Sequence, residues 1–314
     1  MSKQSLMLSA AVAALLAGPA YATCTSVSGT LDCITTSTST ALTTGVPWTT
    51  TTVTTAVGNA TVGSISIQSG STVAISTTNI GAITINSNNY VYNVGAISND
   101  KQTSATGILI DVSKNPNVSA LSFTNAAGTT VTGAGVYLDT TATINLTGSG
   151  TAKHGIWLNA VNLATGTTGT YTGDITFMSG STTIISGDSS QGVTIDSGAT
   201  LAGNLTFGGG LSLTPTTDLS TTSSALYGVA MLGQVNGNIV LPSGGSVIAI
   251  GEGAQGMAIA GTGVNGSITI GGTLQTESIS STSTSLTNQN LSSKTIYPEA
   301  GTALSVGANV TNGI

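Results

Sequence analysis

Residues 173–186 read GDITFMSGSTTIIS, and residues 63–76 read GSISIQSGSTVAIS. Eight of the fourteen positions are identical, at a separation of 110 residues. Neither stretch holds a Lys, Arg, His or Cys, and Asp174 carries the only charge. What they share is a pattern: a Gly, a small or polar residue, then apolar-polar-apolar, a Ser-Gly turn and a second short run. Apolar-polar alternation over a few residues is the period of a half-buried strand. A chain that repeats such a unit without adding chemistry is specifying a scaffold.

Two patterns recur. The first opens GSISI (63–67), GAITI (81–85), GDITF (173–177), GNLTF (203–207), GNIVL (237–241) and GSITI (266–270). The second sets Gly after small residues: SATGILI (104–110), GAGVYL (133–138), AKHGIWL (152–158), SSQGVTI (189–195), LYGVAM (226–231) and AQGMAI (254–259). Three times the second leads to the first at nearly constant distance: Gly192 to Gly203, Gly228 to Gly237 and Gly256 to Gly266. Gly at each boundary reads as a turn residue that takes positive φ. Short strands and Gly turns at a variable period of about 20 to 37 residues signal a solenoid.

The expected fold is therefore all-β: a parallel, right-handed β-helix solenoid following a cleaved signal peptide. Strands one coil apart stack at about 4.8 Å, which aligns like residues into ladders. Ile65, Ile67, Ile175, Phe177, Leu205, Phe207, Ile239, Leu241, Ile268 and Ile270 are the expected inward ladder, with Thr and Ser outside. At about 22 residues per coil the chain would make about a dozen coils and a rod of about 60 Å. A β-sandwich array would need more aromatics and units of about 100 residues. The spacing of Gly173, Gly203, Gly237 and Gly266, 29 to 34 residues, argues against it.

Composition removes several functions. Of 314 residues only 5% are charged, against about 25% in an average soluble domain. There are five Lys and no Arg, eleven acids, and a net charge of -6. Nucleic-acid binding needs a basic face, and bidentate phosphate recognition needs Arg. Like charges stacked in a ladder would repel, so low charge suits a solenoid.

Residues 1–22 read as a secretory signal. Lys3 opens it, LMLSAAVAALLAG (6–18) is its apolar core, and Ala20-Tyr21-Ala22 places cleavage between Ala22 and Thr23. An uncleaved anchor is the alternative reading; the run is short for a membrane span. Residues 23–57 form an N-terminal cap holding Cys24, Cys33 and a Thr-rich segment. In an exported chain these two Cys most simply form one disulfide. Residues 58–314 form the repeat region, with loops near 212–224 and 276–301, the usual seat of binding on a rigid scaffold.

No catalytic, cofactor or metal site is expected. Asp100, Asp111, Asp139, Asp174, Asp188, Asp196, Asp218, Glu252, Glu277 and Glu299 are scattered and read as solvated turn acids. Asp188 and Asp196 are the closest pair and are expected on different faces. His154, the only His, aligns with Gln191 and Gln255 and reads as an exposed rim residue. Sequons at Asn59, Asn117, Asn145, Asn204, Asn265, Asn290 and Asn309 carry little weight in a chain so rich in Ser and Thr.

The signal, the N-terminal Cys pair, and the G-[NDS]-[IL]-[TV]-[FIL] and [HQ]-G-[IVM]-x-[IL] repeats resemble the passenger of a Gram-negative type V autotransporter. The resemblance covers about residue 50 to the end. It implies a right-handed β-helix carried to the cell surface by an outer-membrane β-barrel. No barrel segment is recognised here. TNGI at the end resembles KHGI (153–156), so the reading expects an N-terminal fragment, a truncated product, or a freely secreted solenoid. The function expected is non-enzymatic adhesion or a structural stalk, with a glycan, host-cell or surface ligand, self-association, and no nucleic acid. The alternative is a carbohydrate-active β-helix, which needs grouped carboxylates. Ice binding would need a regular T-x-T in every coil, and only TTTTVTT (49–55) suggests it.

Overall fold

The computed structural model describes strands at 24–27, 30–33, 37–38 and 42–43 and most of 64–314. Gaps fall at 76–80, 100–102, 119–121, 125–129, 133–134, 217–225, 281–294 and 298–300, and at single positions 68, 71, 87, 89, 149 and 252. The signal sequence, with Ala22 and Thr23, lies outside the described residues, as do Asp100, Asp218, Glu252 and Glu299.

One coil shows the architecture. Ile175–Phe177 belongs to sheet 1, Thr182–Ser186 to sheet 2, Gln191–Ile195 to sheet 3 and Ala199–Ala202 to a short sheet 4. The next coil repeats the order with Leu205–Phe207, Gly210–Thr214, Tyr227–Met231 and Gln234–Val235. Every pairing between coils is parallel, which makes the molecule a parallel β-helix. Sheets 1 and 2 have nine strands, sheet 3 eight and sheet 4 four.

The inward ladders supply the core. On sheet 1, Ile65, Val91, Val136, Ile175, Leu205, Ile239 and Ile268 follow one another in register, and all are buried. The neighbouring ladder holds Ile67, Asn93, Leu138, Phe177, Phe207 and Leu241, also buried. Phe177 and Phe207 stack with centroids 5.1 Å apart. Each buried side chain of this size contributes about 1.5–3 kcal/mol. Asn93 interrupts the apolar run, but its Oδ1 accepts the Gly95 N–H at 3.0 Å. Ile270, expected inside, is 37% exposed. It sits on the last strand in the order of sheet 1. The two near-copies quoted first occupy the same part of a coil, three rungs apart on sheet 1.

Several expectations are corrected. Sheet 3 has one strand per coil, so the described residues make eight coils where a dozen were expected, and seven spacings of about 4.8 Å span about 34 Å rather than 60. Coils are longer than assumed because each also carries turns and, in the later ones, a fourth short strand. GAITI belongs to sheet 3, paired with Thr106–Asp111, and Val136–Leu138 of GAGVYL to sheet 1, paired with Ile175–Phe177. The two motifs look alike in sequence, and only the corner that precedes them assigns the sheet. The first coil begins at Thr30, inside the assigned cap. Ser212–Thr214 extends a sheet 2 strand into the segment read as a loop. Residues 278–280 pair antiparallel with 295–297, so the second loop opens as a β-ribbon. A third excursion, not foreseen, pairs Ser122–Thr124 with Thr130–Thr132.

Glycine also plays a second role. Gly180 does turn a corner, at φ +92. Gly107, Gly155, Gly192, Gly228 and Gly256, however, have no positive φ and form a column at the entrance to sheet 3. A Cβ on Gly192 would lie 2.4 Å from the Gly228 carbonyl oxygen and 2.5 Å from Leu211. On Gly228 it would lie 2.3 Å from both the Gly256 oxygen and Val247. Gly192 and Val193 thus both face inward, and at Gly192 only hydrogen fits. Gly173, Gly203, Gly237 and Gly266 make a matching column before sheet 1, each meeting a carbonyl of a neighbouring coil or a buried Tyr171.

Candidate functional site

The outward residues of sheet 3 form two columns. One runs Thr106, His154, Gln191, Tyr227, Gln255, and the other Leu109, Trp157, Thr194, Ala230, Ala258, Ser305. The aligned positions read from sequence are therefore neighbours in space, with Tyr227 between the two Gln.

His154 is not an exposed rim residue: it is 8% exposed. The Trp157 indole stacks on its imidazole at 4.3 Å and 17°. Thr194 Oγ1 donates to Gln191 Oε1 at 2.7 Å. Its single proton is thereby committed, so the 2.7 Å contact with His154 Nδ1 is made by an Nδ1–H donor. Burial lowers the His154 pKa from 6.5 to about 4, and the ring is neutral at pH 7. Trp157 Nε1 donates to Asp196 Oδ1 at 2.8 Å, and the other carboxylate oxygen accepts the Ala160 N–H at 3.0 Å. The chain His154–Thr194–Gln191 and the pair Trp157–Asp196 span adjacent coils, about 40 residues apart in sequence.

Gln191 joins this cluster to a shallow groove of about 300 Å³ along the later coils. Ala230, Ala258 and Ser305 form its floor, Gln191, Tyr227 and Gln255 one wall, and Leu232 part of the other. Among the described residues no charged side chain lines it. A wider, more open depression lies outside sheet 2, where Gly210 and Ser212 leave a dip beside Thr182 and Ile184.

The acids are not merely solvated. Asp111 is 8% exposed and accepts from the Ser113 N–H and hydroxyl. Asp139, 6% exposed, accepts the Tyr92 hydroxyl at 2.6 Å and the Thr140 N–H at 2.7 Å. Asp174, Asn204 and Asn238 form a polar column. Each Oδ1 accepts the backbone N–H of the equivalent residue one coil on, at 2.7, 2.9 and 2.9 Å. This explains the N, D or S in the second motif position. Asp188 accepts the Thr216 N–H, and lies before the sheet 3 strand that Asp196 follows. Glu277 accepts from Gln275. Among the described residues no three His, Cys, Asp or Glu gather as metal ligands.

Lys153, which the motifs did not single out, is fully buried. Its Nζ donates to the carbonyls of Leu146 at 3.0 Å, Ser186 at 2.6 Å and Gly148. The ammonium braces the corner between two coils. At the other end of the chain, Cys24 and Cys33 are Cα partners in an antiparallel pair. No family model, curated protein or solved structure matches the chain.

Proposed function

We propose that the chain is a non-enzymatic, autotransporter-like β-helical passenger, exported by the signal in residues 1–22 and acting at the cell surface or outside the cell in adhesion or as a stalk. One observation carries this reading. Asp111, Lys153, Asp174, Asp188 and Asp196 serve as hydrogen-bond partners that hold one coil to another or close a turn. Such groups brace a rod; they do not converge on a reacting centre. An outer-membrane β-barrel translocator is the partner this reading requires.

A Cys24–Cys33 disulfide belongs to the same proposal. Facing positions across an antiparallel pair are close enough to bridge. The bond would close the hairpin that leads into the first coil, and suits an exported chain.

The test is adhesion. Purified protein, and cells displaying it, should bind host cells, glycan or abiotic surfaces, or self-associate. Protein that holds to none of these and forms no assemblies overturns the reading. Mass spectrometry of exported protein should find Thr23 first and a 2-Da gain on reduction. Degradation of a polysaccharide panel would instead favour the carbohydrate-active alternative.

A further inference from the structure

The geometry points to the sheet 3 groove as a binding site for a neutral oligosaccharide chain lying along the rod axis. This rests on the adhesion reading and names a ligand class for it. Four observations converge. First, Gln191, Tyr227 and Gln255 stand in register on successive coils. They offer donors and acceptors at the coil spacing of about 4.8 Å, suited to a polymer with regularly spaced hydroxyls. Second, Ala230 and Ala258 are in register beneath them and make a flat, apolar floor. Leu232, 48% exposed, adds an apolar wall. The face of a sugar ring is apolar and its rim is polar, which matches a floor and wall of this kind.

Third, none of the described residues lining the groove is charged. A uronate or phosphate ligand would find no cation to offset its desolvation, whereas a neutral polyol needs only amide and hydroxyl partners. Fourth, one amide is oriented in advance. Gln191 Oε1 is held by Thr194, itself bonded to His154, so its NH₂ donors are left for a ligand. Preorganisation of this kind lowers the entropy lost on binding. A peptide strand is the poorer occupant, because the groove lies on an outer sheet face and presents side chains, not an unpaired backbone edge.

The test uses the full chain. Cello-, xylo-, laminari-, malto- and chito-hexaose are titrated by calorimetry, with oligogalacturonate as the charged comparator. At least one neutral hexamer should bind, and oligogalacturonate should bind at least tenfold more weakly. Ala258→Trp, which fills the floor from outside the core, should abolish binding, and Gln255→Ala should weaken it about tenfold. Both variants should keep the parent circular dichroism and melting temperature. Thr194→Val, which frees Gln191, should weaken binding without filling the groove. No binding of any neutral hexamer at millimolar concentration overturns the inference, as does equal binding by Ala258→Trp. If Ala258→Trp binds the hexamer as the parent does while the protein adheres to cells, the groove assignment fails and the adhesion reading stands. If the hexamer binds but the protein adheres to nothing, the reverse holds.

Discussion

Sheets 1 and 3 are alike inside and different outside. Both present ladders of Ile, Leu, Val, Phe or Met to the core. Outside, the later coils of sheet 1 repeat Thr176, Thr206, Val240 and Thr269. At the same positions sheet 3 runs from Leu109 to Trp157, Thr194, Ala230, Ala258 and Ser305, with only Ala230 and Ala258 alike. A solenoid constrains its inner rungs because each must fit the one above and below. Its outer faces are free to vary, on sheet 2 as well, from Asn145 to Ile184, Ser212, Ile248 and Gln275, and sheet 3 is set apart by the small residues Ala230, Ala258 and Ser305 along its groove.

Four predictions probe this contrast, beginning with the largest effect. Gly228→Ala should destabilise the protein by about 3 kcal/mol, because the entrance to sheet 3 is packed against backbone and cannot yield cheaply. Urea denaturation followed by circular dichroism measures it. A wild-type midpoint would show that the corner is looser than its 2.3 Å approaches imply.

The second concerns pH. The folded-state pKa of His154, about 4, lies below the ordinary 6.5. Between those values the unfolded chain takes up a proton that the folded chain refuses. Stability should therefore be unaffected above pH 6.5 and fall by up to about 1.4 kcal/mol per unit below it, levelling near pH 4. His154→Gln, the residue found at aligned positions of the column, should flatten that fall in melting temperature. An unchanged pH profile would place the ring in water.

The third is stabilising. The Thr183 hydroxyl is buried without a partner, in an inward ladder otherwise made of Ile144, Leu211 and Val247. Thr183→Val keeps the shape and removes the unpaired group, so a gain of about 1–2 kcal/mol is expected. The smallest effect separates the two outer faces directly. Thr194→Ala should cost about 1 kcal/mol through the lost His154 and Gln191 bonds, while Thr206→Ala on sheet 1 should stay within about 0.5 kcal/mol. Equal losses in thermal unfolding would erase the distinction.

Much of the scaffold is legible in the residues. Alternation in GDITF and GNLTF assigns Ile175, Phe177, Leu205 and Phe207 to the interior, because a strand turns successive side chains to opposite faces. Repetition of that unit makes the chain a solenoid, since one coil cannot bury its own rungs. The aligned positions of His154, Gln191 and Gln255 are visible too. Their environment is not. That Trp157 covers the imidazole, that Thr194 ties it to Gln191, and that Lys153 spends its ammonium on three carbonyls all depend on residues brought together only when coils stack. Glycine shows the limit most plainly. Turn chemistry explains Gly180 from its local conformation, but Gly192 and Gly228 are required by the carbonyl of the next coil. Local periodicity determined strand, face and repeat; the number of coils, the sheet each motif joins, and the buried polar cluster were decided by contacts one coil away, which no local pattern records.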